Sequence, residues 1–198
     1  HNFRDPLSIS DDTIRVIFED SQGILWFGTN HGLNRFDRNS EIFNSYLYFK
    51  DLGRRTVRSI IEDQDGVLWV GADDGLFEYD RQSDHFLANR SLSYDPEMPS
   101  NDLVLCVQVD RQGDLWMGTF QGGLVKVDAR SDEILHYRKS DGLPNDVVYG
   151  ILEDEQGFLW LSTVRGLSRL DPQSGTFKNF DITDGLQSYE FNEGAYHQ

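Results

Sequence analysis

The residues best suited to chemistry in this chain are a few acidic pairs, five histidines and one group of arginines. Asp63 and Asp65 stand at alternate positions before Gly66, as carboxylates do at the start of a calcium-binding loop. No Glu follows at the spacing that such a loop requires. We therefore predict a structural turn at this place and no metal site.

Adjacent acidic residues could also support acid–base catalysis. Glu153-Asp154 is one such pair, but it recurs as Glu19-Asp20 and Glu62-Asp63, which indicates a structural role. The five histidines form no pair at the spacing of metal ligands. The sequence therefore predicts no catalytic residues, no bound metal and no cofactor.

Arg54, Arg55 and Arg58 form the one basic cluster of a chain whose formal net charge is −16. The cluster has two interpretations: a solvated connector, or a contact for an anionic ligand, because guanidinium groups match carboxylate and sulfate geometry. The overall acidity argues against a nucleic-acid surface, which needs clustered Lys and Arg. No apolar run reaches the ~18–20 residues of a membrane span.

The sequence elements that must position these residues recur four times along the chain. Each copy has an alternating run, a D-x-x-G turn and a strand that contains a tryptophan, at Trp26, Trp69, Trp116 and Trp160. The tryptophans are 43, 47 and 44 residues apart (69−26, 116−69, 160−116). A period near 40–45 residues with short alternating strands is typical of propeller blades. Because the four tryptophans share one repeat position, we predict that they form the core between blades.

The predicted fold is all-β: a β-propeller segment of four four-stranded antiparallel blades, with partial blades at both ends. We place the blades at about 12–46, 55–90, 101–138 and 145–181, and a partial fifth blade at 188–198. Together they form a single repeat array over residues 1–198. Each Trp strand should be the second strand of its blade.

The first strands of the four copies contain two informative columns. A column of small residues holds Val16, Ser59, Cys106 and Gly150, as crowding at the propeller axis would require. The neighbouring column is variable and holds Arg15, Arg58, Leu105 and Tyr149. We expect Arg15 and Arg58 to contact a ligand at the axis and Tyr149 to stack on it. Asn145 and Asp146 would add hydrogen bonds from the connector before the fourth blade.

The pattern D-x-x-G-x-L-W-x-G-T-x-x-G-L at 20–33 resembles the two-component regulator propeller repeat. The stretch 184–195 is similar to the closing blades of that family. The resemblance covers practically the whole chain, with local departures such as Ser162 in place of glycine in the fourth Trp strand.

This resemblance implies the sensor portion of a bacterial hybrid two-component or diguanylate cyclase receptor. Such a segment would lie in the periplasm and reach the inner membrane only through other segments. It would bind a small polar ligand, of which a carbohydrate is one candidate, and would not itself be an enzyme. Its other partners would be the missing blades of the same receptor or a second copy of the chain.

Two alternatives remain open at this stage. The segment could be a propeller enzyme of the lyase or glycosidase type, or a pure scaffold. An enzyme would need His, Glu or Arg side chains that converge from the inner strands. The two inner columns contain no His and no carboxylate, which favours binding over catalysis.

Overall fold

The computed structural model describes residues 1–2, 4–46, 55–88, 103–131, 133–188 and 190–191. Within these residues the chain forms four antiparallel sheets of four strands each, and its only helices are two 3-10 turns of three residues. The predictions of an all-β fold and of four four-stranded blades are therefore confirmed. Most of the predicted fifth blade lies outside the described residues.

The chain divides into two compact units, His1–Ser93 and Tyr94–Gln198, with two blades in each. Blade 1 of the first unit consists of β1 (Ile14–Glu19), β2 (Leu25–Thr29), β3 (Gly32–Asp37) and β4 (Ile42–Tyr46). Blade 2 consists of β5 (Val57–Glu62), β6 (Leu68–Ala72), β7 (Gly75–Asp80) and β8 (His85–Ala88).

The second unit repeats this plan. Blade 3 consists of β9 (Val104–Val109), β10 (Leu115–Thr119), β11 (Leu124–Val127) and β12 (Ile134–Tyr137), followed by a 3-10 turn at Lys139–Asp141. Blade 4 consists of β13 (Val148–Glu153), β14 (Leu159–Thr163), β15 (Gly166–Asp171) and β16 (Thr176–Phe180), followed by a 3-10 turn at Ile182–Asp184. Consecutive strands are neighbours in every sheet, so each Trp strand is second, as predicted.

The D-x-x-G turn between the first two strands of a blade is held by its aspartate. In blade 1, Asp20 Oδ1 accepts hydrogen bonds from the backbone N–H groups of Gln22 (3.0 Å) and Ile24 (2.9 Å). Gly23 has φ +75°, a conformation that costs least for glycine and closes the hairpin. Asp20 Oδ2 also accepts the indole N–H of Trp26 at 3.0 Å, so one side chain fixes both the turn and the tryptophan.

The hydrophobic core of each unit lies between its two blades. Trp26 and Trp116 are fully buried, whereas Trp69 and Trp160 are only partly buried. In the first unit the Trp26 ring is 5.1 Å from the Tyr79 ring and 5.9 Å from the Phe86 ring, both of blade 2. The predicted role in the core between blades is confirmed for Trp26 and Trp116.

The inner strands of neighbouring blades pack closely because glycine lies opposite the small column. Cys106 pairs with Gly118 in the strand register, and its buried Sγ donates to the Val148 carbonyl at 3.8 Å. A Cβ at Gly118 would lie 2.5 Å from that sulfur and 2.6 Å from the Val148 carbonyl oxygen. The crowding predicted for the column of small residues is therefore confirmed at Cys106.

Candidate functional site

The variable column of the inner strands proves to be a column of β-bulges. In each blade the register skips one residue of the inner strand, so two residues there oppose one on the Trp strand. The skipped residues are Arg15, Arg58, Leu105 and Tyr149. A bulge turns a side chain away from the regular alternation of a strand, and bulges are frequent next to binding sites. The sequence predicted that this column is variable, but it did not show that a β-bulge is the reason.

In the first unit the bulge residues are arginines with a polar partner. Arg15 is exposed, and its Nε donates to Asn30 Oδ1 at 2.8 Å. Arg58 is partly buried, and its Nε donates to Asp73 Oδ1 at 2.8 Å. Asn30 and Asp73 occupy the same place in the repeat, directly after the Trp strand. At the same place, blade 1 therefore has an arginine bound to a neutral amide, and blade 2 has an arginine paired with a carboxylate.

In the second unit the corresponding positions are mostly apolar. Leu105 is buried, and Phe120, directly after the Trp strand, has 41% of its surface exposed. Tyr149 is partly buried, and the residue after the Trp strand of its blade is Val164. A ligand that reached these positions would meet ring and aliphatic surface, which suits stacking better than ion pairing.

Asn145 and Asp146 hold the connector that leads into blade 4. Asn145 Oδ1 accepts the N–H of Val147 at 2.9 Å. Asp146 Oδ1 accepts the N–H of Lys139 at 2.9 Å, and its carbonyl accepts the N–H of Gly123 at 3.0 Å. The structure thus brings Asn145, Asp146 and Tyr149 close along one segment of the second unit, while Arg15 and Arg58 lie on adjacent inner strands of the first.

The two described members of the basic cluster, Arg55 and Arg58, form ion pairs with Asp74 and Asp73. Arg55 is 12% exposed; its Nε lies 2.7 Å from Asp74 Oδ2, and its guanidinium lies 5.0 Å from the Phe77 ring centre. Burial raises the pKa of Asp74, and the charge of Arg55 partly offsets this. Arg54 lies outside the described residues. For Arg55 the solvated-connector interpretation is wrong, because packing on Phe77 and pairing with Asp74 take it out of water.

A groove in the second unit was not predicted from the sequence. It encloses about 280 Å³ and is lined by Pro144, Arg165, Asn179, Phe180, Asp181 and Asp184. Pro144 directly precedes Asn145, and Arg165 follows the Trp strand by two residues. A cation, carboxylates, an amide and an aromatic ring in one concave place can recognise a small polar molecule.

Hydrogen bonds organise the floor of this groove. Asn179 Nδ2 donates to the Gly142 carbonyl at 2.9 Å, and its Oδ1 accepts the Ser168 hydroxyl at 2.6 Å. Asp181 Oδ1 accepts the hydroxyl and the N–H of Thr183. These bonds, with a contribution from the charge of Arg165, hold the pKa of Asp181 below its usual value. Asp181 is therefore a carboxylate at neutral pH.

The acidic residues of blade 2 form a turn. The segment from Asp63 to Gly66 is a turn, as predicted: Asp63 Oδ1 accepts the N–H groups of Asp65 and Val67, and its Oδ2 accepts the Trp69 indole N–H. In the part of the chain that the structure describes, no three His, Cys, Asp or Glu side chains meet as a metal site would require. No described helix has the length and apolar character needed to cross a membrane.

The four repeats match a known family. The description "Two component regulator propeller" applies to residues 8–31, 51–74, 98–121 and 142–165, one segment in each blade. The chain belongs to the two-component regulator propeller family. No curated protein sequence matches it significantly.

Solved structures of similar fold include extracellular domains of two-component and one-component systems. The chain is 26% identical, with a TM-score of 0.75, to the extracellular domain of a hybrid two-component system from B. thetaiotaomicron; the match covers 88% of this chain and 25% of that one. It is 25% identical, with a TM-score of 0.76, to the extracellular domain of a one-component system from the same organism, over 89% of this chain and 26% of that one. This regulator propeller thus spans about a quarter of these relatives.

The propeller fold is also shared with an enzyme. Virginiamycin B lyase from Staphylococcus aureus matches with a TM-score of 0.69 and 17% identity, over 89% of this chain and 58% of the lyase. At that identity the likeness is one of fold alone.

Proposed function

We propose that this chain is a ligand-binding, non-catalytic sensor segment of a bacterial signal-transduction receptor, located outside the inner membrane. The observation that carries the proposal is the likeness of its four regulator repeats to the extracellular domains of two signalling systems at 25% and 26% identity. A kinase or diguanylate cyclase output domain would belong to another part of the receptor.

The proposed ligand is a small polar molecule, and a carbohydrate is the first class to test. In the first unit Arg15 and Arg58 would contact it from the bulges of the inner strands. The second unit, taken by itself, offers Tyr149 as a surface on which such a ligand would stack, and Asn145 and Asp146 as hydrogen-bond partners next to the groove. Arg58 is already paired with Asp73, so the pair offers a donor and an acceptor together, as a polyhydroxylated ligand requires.

Isothermal calorimetry with neutral and acidic mono- and oligosaccharides tests this proposal. For an acidic ligand, Arg58→Ala should weaken binding by about 1.5–3 kcal/mol, because a hydrogen bond to a charged group is lost. Arg130→Ala is the matched control, since Arg130 is exposed in the turn between β11 and β12.

Two outcomes would contradict the proposal in different ways. Unchanged affinity of the Arg15→Ala/Arg58→Ala double variant would refute the site in the first unit. If the purified protein converts a bound ligand into a product that chromatography detects, the non-catalytic role is refuted.

A further inference from the structure

In the first unit the guanidinium group of Arg81 lies between the D-x-x-G turns of blades 1 and 2. Its Nη1 and Nη2 donate to Asp20 Oδ2 at 3.2 and 3.3 Å, and Nη2 also donates to Glu62 Oε1 at 2.9 Å. Its Nε donates to the Gly66 carbonyl at 3.1 Å. Two carboxylates and one backbone carbonyl thus bind one planar cation, whose fixed donors suit such an arrangement.

The second unit contains the same three acceptors. The matched residues are Asp110 for Asp20, Glu153 for Glu62 and Gly157 for Gly66. In the first unit, Glu62 accepts the backbone N–H of Ser21 in the turn of blade 1 at 2.6 Å. In the second, Glu153 accepts the backbone N–H of Arg111 in the turn of blade 3 at 3.0 Å. Both glutamates therefore bind the turn of the preceding blade in the same way.

The cation of the first unit has no counterpart in blade 4, because Pro172 takes the place of Arg81. The turn Asp80-Arg81-Gln82-Ser83 corresponds to Asp171-Pro172-Gln173-Ser174. In both turns the aspartate accepts the N–H of the glutamine at 2.9 Å. It also accepts the serine hydroxyl, at 2.6 Å in blade 2 and 2.8 Å in blade 4. The two turns have the same form, but proline has no N–H group to donate.

A groove opens in the second unit beside Pro172. It encloses about 190 Å³, and its lining includes Gln112 of the blade 3 turn and Gly157 of the blade 4 turn. This volume is several times the roughly 30 Å³ that one water molecule occupies in the liquid. Among the described residues, none donates a hydrogen bond to the Gly157 carbonyl, whose counterpart at Gly66 binds Arg81 Nε. The groove therefore lies where the arginine side chain lies in the first unit.

Three cations of the second unit bind other groups. Their partners are Asp114 Oδ2 for Lys126 Nζ (2.6 Å), the Glu155 carbonyl for Arg111 Nη1 (2.8 Å) and the Phe158 ring centre for the Arg169 guanidinium (4.3 Å). In the part of the chain that the structure describes, neither Asp110 nor Glu153 forms an ion pair with a Lys or Arg side chain. Burial raises the pKa of Glu153, and the N–H and charge of Arg111 offset only part of this. An added cation would therefore stabilise these two carboxylates.

We propose that this groove, which we call the turn groove, binds a guanidinium group from outside the chain in the place that Arg81 takes in the first unit. Asp110 and Glu153 accept its N–H groups, and the Gly157 carbonyl accepts one more. Free guanidino compounds and arginine side chains of polypeptides both carry this group. Tyr149 is the second residue of β13 and Glu153 is the last, so the turn groove lies at the other end of this strand from the proposed sensor contacts.

An NMR titration with methylguanidinium chloride tests this proposal. The Trp116 indole N–H, which donates to Asp110, should shift and reach saturation. The Trp26 indole N–H should not shift, because Arg81 already binds the carboxylate beside it. Sodium chloride at equal concentration should not reproduce the shift. Glu153→Gln should weaken the affinity about tenfold, because a hydrogen bond to a charged acceptor becomes one to a neutral acceptor.

Variants at two matched positions sharpen the test. Pro172→Arg supplies the cation from within the chain and should abolish the saturable shift of Trp116. Pro172→Ala is its control and should keep that shift, since alanine removes the proline without adding a cation. Arg81→Ala makes the opposite change in the first unit, so methylguanidinium should then shift the Trp26 indole N–H as well.

The same spectra show whether each variant is folded, and the comparison at Pro172 is sufficient if Arg81→Ala is not. The proposal is overturned if sodium and methylguanidinium shift Trp116 alike, or if Trp26 of the unchanged protein shifts as much as Trp116. It is also overturned if Pro172→Arg binds methylguanidinium as tightly as Pro172→Ala. A blocked tripeptide with arginine at its centre distinguishes the two sources: tighter binding than methylguanidinium indicates a polypeptide, and equal or weaker binding indicates a free compound.

Discussion

Arg58 and Ser59 show how the repeat fixes one side chain and leaves its neighbour variable. Ser59 lies opposite Gly71 in the register, at the crowded inner column, and only a small side chain fits there. Arg58 is the extra residue of the bulge, so its side chain is not bound by that packing and forms its own bond to Asp73. Under the proposed sensor function, differences in ligand specificity between blades should therefore arise at bulge residues.

The crowding at the inner column gives a prediction for Gly118. Gly118→Ala should destabilise the second unit by about 1–3 kcal/mol, because the new methyl group meets the Cys106 sulfur and the Val148 backbone, and the backbone cannot move aside cheaply. Ser162→Gly is the matched change in blade 4 and should have a small effect on unfolding. Urea unfolding measures both; equal shifts of the two midpoints would show that the column is not tightly packed.

The D-x-x-G turn of each blade is held by a carboxylate that also binds the tryptophan. In blade 3, Asp110 is 3% exposed and accepts the N–H groups of Gln112 and Asp114, both at 2.9 Å. Its second oxygen accepts the indole N–H of Trp116 at 2.8 Å. One carboxylate therefore connects the local turn to the core between the blades.

Removal of that carboxylate should be costly. Asp110→Ala leaves three N–H groups without their acceptor. The Asp114 N–H and the Trp116 indole N–H are buried and worth about 1–3 kcal/mol each, so we expect a loss of at least about 2 kcal/mol. Asp128→Ala is the control, because Asp128 caps an exposed turn of the same blade. A loss below that of the control, measured by urea unfolding, would contradict the role given to Asp110.

The repeat could be predicted from the sequence because its constraints are local or periodic. The turn Asp and Gly, the Trp position and the small column recur at a fixed spacing. The bond from Asp20 to Trp26, the reach of Glu62 to Ser21 and the bulge at Arg58 could not be predicted in this way, because each depends on the strand register or on the neighbouring blade. The groove beside Pro144 does not recur in the other blades, so the sequence repeat could not predict it.

Over the whole molecule, a net charge of −16 is combined with carboxylates that serve as hydrogen-bond acceptors. The indole N–H of Trp160 lowers the pKa of Asp154, and hydrogen bonds within turns lower those of Asp171 and Asp181. Such groups favour folding while they are ionised. Part of the chain's negative charge therefore also belongs to its turn structure.

The thermal midpoint of unfolding should accordingly fall at both ends of the pH scale. Because the folded pKa values of Asp154 and Asp171 lie below their unfolded values, the stability that they add is present above about pH 4 and is lost as the pH falls through the folded values. Burial, and then the hydrogen bond that each donates to Asp84, raises the pKa of Tyr46 and Tyr79.

At alkaline pH these tyrosines ionise first in the unfolded chain, so stability should decrease above about pH 10. Tyr46→Phe/Tyr79→Phe should retain more of its midpoint between neutral and alkaline pH than the unchanged protein, since those two ionisations are removed. Differential scanning calorimetry from acid to alkaline pH measures this. An alkaline decline of equal size in both proteins would show that Tyr46 and Tyr79 do not control it.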